Sequence, residues 1–199
     1  MRYEEYLAED FRDQSTSTGV TRRQFLTAAG GILILLRWGD IQLAEAQRGG
    51  SRIPSDWNAF LRVGADGRIT VFTGKVELGQ GAHTALVQIA AEELNAPYEM
   101  VDIVMGDTDL CPWDAGTFGS QTIRIHSHLL RAACAEARGV LLQLAAEKWN
   151  VPAANLTVQD ACVLDPKEPA RRLTFAELTR GQRIERRLDP KPEPEPPAA

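Results

Sequence analysis

The sequence predicts an α/β fold, with α+β character, in which a mixed sheet carries two long packed helices. Alternating apolar residues at 58–63 and 68–73 flank an Ala-Asp-Gly turn and predict a β-hairpin. Helical periodicity follows at 82–95 and again from 120 to 149. A glycine-containing polar loop precedes each helix and follows a predicted strand, so the order of strand, loop and helix occurs twice.

Composition narrows the possible functions. The chain has 199 residues, of which 44% are hydrophobic and 25% charged, with a net charge of -5. This length allows one domain beside a targeting segment, and the absence of a basic excess excludes a nucleic-acid partner from our expectations. The cysteines Cys111, Cys134 and Cys162 include no C-x-x-C pair for zinc or an iron–sulfur cluster. One disulfide is allowed without its pair being selected, and at least two thiols are expected to be buried.

The N-terminal part of the chain predicts a targeting segment. Residues 1–20 are polar and are expected to be disordered. In residues 21–46, Arg22 and Arg23 precede a short apolar run and an Ala-x-Ala site, which is typical of a twin-arginine export signal. We expect export to the periplasm with cleavage after Ala46, or retention as an uncleaved membrane anchor. The alternative is a buried helix with an incidental arginine pair.

The globular part is predicted to span residues 53–185, followed by a Pro-rich linker or tail at 186–199. In the first helix, Glu92 and Glu93 are expected on the exposed face. Gly139 lies inside the second helix, where glycine costs about 1 kcal/mol relative to alanine. We therefore expect the second helix to pack closely against a neighbour at Gly139.

Residues 74–81, called loop 1, connect the predicted hairpin to the first helix. Gly79 and Gly81 lack a Cβ, so the backbone can approach a ligand closely there. The helix start adds unpaired N–H donors, and the Gln80 amide can both donate and accept. Loop 1 therefore predicts binding of an anionic cofactor, a phosphate or a pterin edge. The alternative is a tight strand-to-helix turn with Gln80 facing solvent.

Residues 106–119, called loop 2, follow a predicted strand at 101–105. Because loop 1 and loop 2 each lead from a strand into a helix, we expect both helix N-termini at one edge of the sheet, where ligands of α/β proteins bind. Residues 116–122 supply backbone amides, hydroxyls and an amide side chain, with no Lys or Arg before Arg124. This composition favours a large ligand rich in hydrogen bonds over a bare triphosphate.

Aromatic and histidine side chains near loop 2 have competing interpretations. Trp113 and Phe118 either stack on a flat ligand or pack loop 2 onto its own domain. His126 and His128 are two residues apart and therefore point to different faces of a helix. We expect them to be surface or packing residues rather than a metal-binding pair.

Two motifs, in this order, resemble one protein family. Residues 76–81, with His83, Thr84 and Ala-Ala-Glu-Glu-Leu at 90–94, are similar to the glycine–glutamine–glycine segment of molybdopterin-binding subunits in the xanthine dehydrogenase and aldehyde oxidase family. Residues 119–122, the helix after them and the export signal resemble the branch typified by the beta chain of isoquinoline 1-oxidoreductase. The resemblance covers roughly residues 20–190.

The resemblance implies part of a molybdopterin-binding domain in a molybdenum hydroxylase. Such enzymes oxidise an aldehyde or an N-heteroaromatic C–H with water as the oxygen source. The implied cofactor is molybdopterin cytosine dinucleotide, and no side chain of this chain is implied as a ligand of the metal. By position, Gly79, Gln80 and Gly81 are expected to contact the pterin or its pyrophosphate, with His83 approaching the cofactor beside them. The dinucleotide end is expected to be bound through hydrogen bonds by Gly119, Ser120, Gln121 and Thr122.

Subunits of this family are several times longer, and this sequence ends at a Pro-rich stretch where their hammerhead domain begins. We therefore expect the N-terminal portion of a subunit, inactive alone, with the remaining molybdopterin-binding domains in another chain or lost by truncation. A small [2Fe-2S] subunit would take the electrons, often toward a cytochrome c. The family's glutamate general base lies in the missing part, so no catalytic residue is assigned. The alternative is a non-catalytic exported module that binds a ligand or partner, or a gene relic.

Overall fold

The computed structural model describes residues 30–37, 57–114 and 116–188, with the backbone alone for 36–37 and 57–59. The predicted disordered N-terminus, the arginine pair, Ala46 and the Pro-rich residues from 189 lie outside the described residues. Within them the chain is mixed α/β, which confirms the predicted fold class.

The described residues form strands, α-helices and short helical turns. The strands and α-helices are, in chain order, β1 (Gly31–Arg37), β2 (Trp57–Val63), β3 (Ile69–Thr73), α1 (Ala82–Leu94), β4 (Val101–Met105), α2 (Ser127–Trp149), β5 (Thr157–Gln159), β6 (Cys162–Leu164), β7 (Arg172–Thr174), α3 (Phe175–Thr179) and β8 (Arg183–Leu188). The short turns are Tyr98–Met100 and Ala153–Asn155, both 3₁₀, and the π-helical turn Thr122–His126.

The larger sheet has five strands in the order β4-β3-β2-β1-β8. The hairpin of β2 and β3 is antiparallel, whereas β3 pairs with β4 in parallel, with Thr73 opposite Met105. Because parallel strands end at the same edge, loop 1 and loop 2 leave the sheet side by side. A second sheet has the antiparallel order β5-β6-β7.

Strand β1 lies inside the larger sheet, paired antiparallel with β2 and parallel with β8. Ile32 and Ile34 belong to the main core, whereas Leu33 and Leu35 pack with Phe72 in a separate cluster. A strand that is buried on both faces is a continuous apolar run. Residues 31–37 therefore form part of the domain, although the sequence pattern places them in the export signal. The sheet thus begins before residue 53 and continues to residue 188 in β8.

Helices α1 and α2 pack against each other and against the sheet, with their apolar faces in the main core. Glu92 is exposed as predicted, with a side chain 67% accessible, but the predicted exposure of Glu93 is wrong. The Glu93 carboxylate accepts from Arg131 Nη1 at 2.8 Å and lies 3.4 Å from Arg138 Nη2. These two cations of α2 compensate the burial of an acidic side chain between the helices.

Two features of α2 differ from the sequence-based expectation. The helical segment begins next to Ser120 as predicted, but its first turn, Thr122–His126, is π-helical, so α2 itself begins at Ser127. The expected close packing at Gly139 is wrong. A Cβ at Gly139 would meet no described atom within 4 Å outside the helix's own backbone. Glycine is therefore not required there by a neighbouring element.

All three cysteines are buried free thiols, which confirms the expectation of at least two buried thiols. Burial raises the pKa of the Cys111 and Cys134 thiols, so both remain protonated at neutral pH. In the described ranges, no helix is both long and apolar enough to span a bilayer.

Candidate functional site

Loop 1 and loop 2 are joined by direct hydrogen bonds at the edge where β3 and β4 end. The backbone N–H of Val76 donates to Thr117 Oγ1 at 2.8 Å. At the start of loop 2, the N–H of Gly106 donates to the carbonyl of Thr73 at 2.9 Å. The expected juxtaposition of the two glycine-containing loops is therefore present in the structure.

A buried ion pair lies beneath this junction. Lys75 Nζ donates to Asp114 Oδ1 and to the carbonyl of Gly116, both at 2.8 Å. The side chains of Lys75 and Asp114 are only 4% and 2% exposed, so little water screens their charges. The pair ties a residue of loop 1 to the middle of loop 2.

Gly74 allows the two loops to approach this closely. A Cβ on Gly74 would lie 2.5 Å from the Cβ of Asp114 and 2.6 Å from the carbonyl oxygen of Pro112. Separations this short are sterically forbidden, so any other residue at position 74 would push Pro112 and Asp114 away and disturb the ion pair. Gly74 is therefore required for close approach of the loops.

His126 completes the buried cluster from the π-helical turn that follows loop 2. Its Nε2 lies 3.0 Å from Thr73 Oγ1, and its ring stacks on Phe60 with centroids 5.8 Å apart. Burial lowers the pKa of His126 to about 4, with Asp114 opposing and Lys75 reinforcing that shift. His126 Nδ1 and Asp114 Oδ2 are buried without a hydrogen-bond partner among the described residues. At neutral pH the ring is therefore neutral and serves as a packing residue.

Loop 1 is tied together by two of its own side chains. The Glu77 carboxylate accepts from the N–H groups of Gly79 at 2.6 Å, Gly81 at 3.0 Å and His83 at 2.8 Å. Gln80 Oε1 accepts from the N–H of Leu78 at 2.6 Å, and Gln80 Nε2 donates to the carbonyl of Val76 at 2.9 Å. The expected row of amides facing a ligand is thus largely engaged inside loop 1, and the Gln80 side chain is also engaged there.

The outer surface of the site combines open backbone with exposed apolar side chains. A Cβ on Gly79 or on Gly81 would meet no described atom within 4 Å, so space above both residues is open. Large exposed apolar residues occur in both loops and in the π-helical turn after loop 2; they are Val76, Leu78, Phe118 and Ile123. Phe118 is 57% exposed, so its ring does not pack loop 2 onto the domain. Trp113 is half-buried.

Polar groups at the start of the second helical segment are available for binding. The side chains of Ser120, Gln121 and Thr122 make no hydrogen bond to another described residue, and Ser120 is exposed. Its φ of 56° places a non-glycine residue in the left-handed region, a strained conformation that is frequent at functional sites. Among the described residues, no three His, Cys, Asp or Glu side chains converge to hold a metal ion.

A family model described as the molybdopterin cofactor-binding domain matches residues 31–190. The chain belongs to this family. The match begins at β1, so the family domain includes the strand that the sequence pattern places in the export signal. It also includes loop 1, loop 2 and both helices that follow them.

Individual proteins that are similar to this molybdopterin cofactor-binding domain support the same family assignment. The chain is 40% identical over 62% of its length to a nicotinate dehydrogenase subunit of Pseudomonas putida, covering 10% of that protein. It is 37% identical over 80% of its length to the beta chain of isoquinoline 1-oxidoreductase from Brevundimonas diminuta, covering 22%. The structure of quinoline 2-oxidoreductase from Pseudomonas putida 86 matches 61% of the chain and 15% of its own, with 27% identity and a TM-score of 0.54. The predicted resemblance is confirmed, and the chain spans only a tenth to about a fifth of these relatives.

The residues at the joined loops fit the chemistry of a molybdopterin cofactor. A flat, polar ring system is matched by the open glycine backbone of loop 1, by exposed apolar side chains and by the free polar groups of Ser120, Gln121 and Thr122. His83 is exposed beside Gly81 at the start of α1. The predicted site residues therefore lie in the two joined loops and at the starts of the helical segments that follow them. Of these, the Gln80 side chain and the N–H groups of Gly79, Gly81 and His83 are already engaged by hydrogen bonds within this part of the chain.

Several residues that hold this edge together lie outside the sequence-based prediction. No sequence motif identifies Thr73, Lys75 or Asp114, because each bonds to a residue that lies 39 to 53 positions away along the chain. Glu77 is likewise absent from the predicted site residues. The signal that could have identified its structural role is its position four residues before an N-cap glycine that has no capping side chain.

Proposed function

We propose that this chain is the N-terminal cofactor-binding portion of an exported molybdenum hydroxylase, and that it holds one side of molybdopterin cytosine dinucleotide. The observation that carries this proposal is the junction of loop 1 and loop 2 at one sheet edge, within a molybdopterin cofactor-binding domain. When bound, the cofactor supplies oxidation of a C–H bond, with the oxygen taken from water.

The residues of this chain bind and orient the cofactor. Gly79 and Gly81 let it approach the backbone of loop 1, because no Cβ occupies the open space there. His83 lies beside them on α1. The dinucleotide end would be held by hydrogen bonds from residues 119–122, which are Gly119, Ser120, Gln121 and Thr122.

The substrate class is proposed from the relatives. Two of them are named for nicotinate and isoquinoline, and the similar solved structure is named for quinoline. All three names denote an aromatic ring that contains nitrogen. We therefore favour an N-heteroaromatic substrate over an aldehyde.

The partners are proposed from the coverage of the relatives and from the exposed apolar residues. The chain covers 10% and 22% of the two relatives, and we propose that it works together with the remaining molybdopterin-binding domains. Leu78, 78% exposed, and Phe118 are suited to contact those domains as well as the cofactor. A small [2Fe-2S] subunit would receive the electrons and pass them to a cytochrome c.

Export through the twin-arginine route to the periplasm is also proposed. Cleavage after Ala46 would remove β1, which is hydrogen-bonded on both edges and carries four buried apolar side chains, Ile32, Leu33, Ile34 and Leu35. Loss of so much buried apolar surface would strongly destabilise the sheet. Retention of an uncleaved N-terminus is therefore favoured over cleavage.

The test is to purify the protein from its native periplasm and to measure molybdenum, cytosine nucleotide, co-purifying chains and intact mass. We expect stoichiometric molybdenum and nucleotide, a larger chain, an iron–sulfur subunit, and an N-terminus upstream of residue 31. The variant Gln121→Ala should lower the nucleotide content, whereas Gln88→Ala, on the exposed face of α1, should not. Folded protein without molybdenum or nucleotide would instead support a non-catalytic binding module.

A further inference from the structure

The N-terminus of α1 is occupied by a charge from the chain itself. This helix of 13 residues has Gly81 as its N-cap, with no capping side chain and no acidic residue in its first turn. A helix start of this kind attracts an anion through its free N–H groups and its dipole. Here both oxygens of the Glu77 carboxylate accept from that segment, one from Gly79 and Gly81 and the other from His83.

We infer that Glu77 is a positioning residue which serves as a built-in anion at the start of α1, fixing the shape of loop 1 before any ligand binds and excluding external anions from its amides. The inference deepens the proposed function, on which it rests for the identity of the ligand. The contacts that support it lie within this chain.

Side-chain hydrogen bonds define the conformation of loop 1. Gly79 and Gly81 have φ 93° and 80°, which glycine adopts readily. Because glycine also adopts many other conformations, loop 1 needs further contacts to hold this one. Glu77 spans both glycines with its carboxylate, and Gln80 closes the other side of the loop through Leu78 and Val76. Loop 1 therefore has an internal network that can maintain one conformation without a ligand.

The Glu77 carboxylate also brings a negative charge to the helix start. Hydrogen bonds from the N–H of His83, then from Gly81 and Gly79, lower the pKa of the Glu77 carboxyl against the opposing effect of burial. The group is therefore ionised at neutral pH. A sulfate or phosphate that bound these three N–H groups would have to displace the Glu77 carboxylate, or lie next to its negative charge.

The experiment uses the full chain labelled with nitrogen-15 and follows the amides of Gly79, Gly81 and His83 by NMR. Sodium sulfate is titrated at constant ionic strength against sodium chloride. We expect no sulfate-specific shift in the wild type. In Glu77→Ala, the three amides should exchange with solvent on the order of tenfold faster and should shift on addition of sulfate, which also restores their protection.

Two further variants separate charge from packing. Glu77→Gln keeps the side-chain size but removes the charge, so it should show weaker protection than the wild type. Glu177 is another carboxylate that caps a helix, at α3, where its Oε2 accepts from the N–H of Thr174 at 2.8 Å. Glu177→Ala should leave the loop 1 amides and their response to sulfate unchanged.

The results distinguish this inference from the proposed function. Sulfate-specific shifts of these amides in the wild type, or unchanged exchange in Glu77→Ala, would overturn the role of Glu77 even if the protein carries molybdenum. Conversely, protein that lacks molybdenum and nucleotide would overturn the proposed function. It would leave the result for Glu77 intact.

Discussion

Loop 1 and loop 2 occupy equivalent places after parallel strands, yet they are ordered by carboxylates in opposite environments. In loop 1 the Glu77 carboxylate is near the surface and accepts from backbone amides of its own loop. In loop 2 the carboxylate of Asp114 is buried and pairs with Lys75 of the neighbouring loop. The glycine turn of loop 1 is therefore held by hydrogen bonds within that loop, whereas the Asp114 region of loop 2 also depends on the buried cation from loop 1.

The environment determines how much each carboxylate contributes to stability. Water can replace the hydrogen bonds of an exposed carboxylate at small cost, but it cannot reach a buried charge that has lost its partner. Changes to the buried cluster should consequently affect the whole fold. Changes at Glu77 should affect only loop 1 and its binding properties.

The largest effect is expected from Lys75→Met. This substitution removes the cation from the buried pair and leaves the Asp114 carboxylate uncompensated, which costs about 3–5 kcal/mol in the free energy of unfolding. Urea unfolding of the wild type and the variant measures this difference.

Arg68→Met provides the control for the buried pair. Arg68 binds Asp102 at 2.8 Å, but its side chain is 45% exposed. Its loss should cost about 1 kcal/mol or less, because solvent screens the pair. Equal destabilisation by the two variants would show that burial does not distinguish loop 2 from the surface, and the comparison of the loops would fail.

The second effect is a loss of stability in acid that originates at His126. The pKa of His126 is lowered to about 4 in the folded chain from 6.5 in the unfolded chain. As the pH falls below 6.5, His126 becomes protonated in the unfolded chain but not in the folded chain, so the free energy of unfolding declines until about pH 4. The complete pKa shift corresponds to a loss of roughly 3 kcal/mol in the free energy of unfolding. Urea unfolding at several pH values from neutral down to about 4 measures it.

Substitution of histidines identifies the source of this pH dependence. His126→Gln removes the titrating ring, so the variant should be less stable at neutral pH but should show a flatter decline in acid. His128→Gln, at an exposed position two residues away, should retain the slope of the wild type. If His126→Gln also retains that slope, the acid sensitivity comes from other groups.

Sequence patterns predicted the elements of this fold well, because most of them rest on local periodicity. The β2–β3 hairpin, strand β4 and helix α1 lie where apolar spacing and turn residues indicated. The side-by-side loops also followed from the repeated order of strand, loop and helix. The Lys75–Asp114 pair could not be predicted, since no local pattern identifies which buried acid meets a given lysine.

The interpretation of β1 illustrates a different limit. A short apolar run suits both the hydrophobic part of an export signal and a strand buried on two faces. Leu33 and Leu35 lie in a different cluster from Ile32 and Ile34, so the strand shows no polar alternation. Only its pairing with β2 and β8, which are distant from each other along the chain, reveals the strand. Whether the same stretch directs export stays a prediction.

The smallest effect is expected outside both loops, at Gly139 of α2. The residue lies in a helix interior, and a Cβ there would meet no described atom within 4 Å. Gly139→Ala should therefore stabilise the fold by about 0.5–1 kcal/mol, through reduced backbone entropy of the unfolded chain. Urea unfolding should show this gain, while the amide exchange of loop 1 stays unchanged because that loop opens locally.

Gly67→Ala is the matched control for this last substitution. Gly67 has φ 84°, and a Cβ there would lie 2.7 Å from the backbone nitrogen of Ala176. The same glycine-to-alanine change should therefore destabilise the fold, by about 1–3 kcal/mol for the backbone conformation alone. If Gly139→Ala also destabilises, the helix must pack against something at that position, as the sequence alone suggested. If it stabilises the fold but also slows exchange in loop 1, that loop opens only with global unfolding, and the two loops share one source of order.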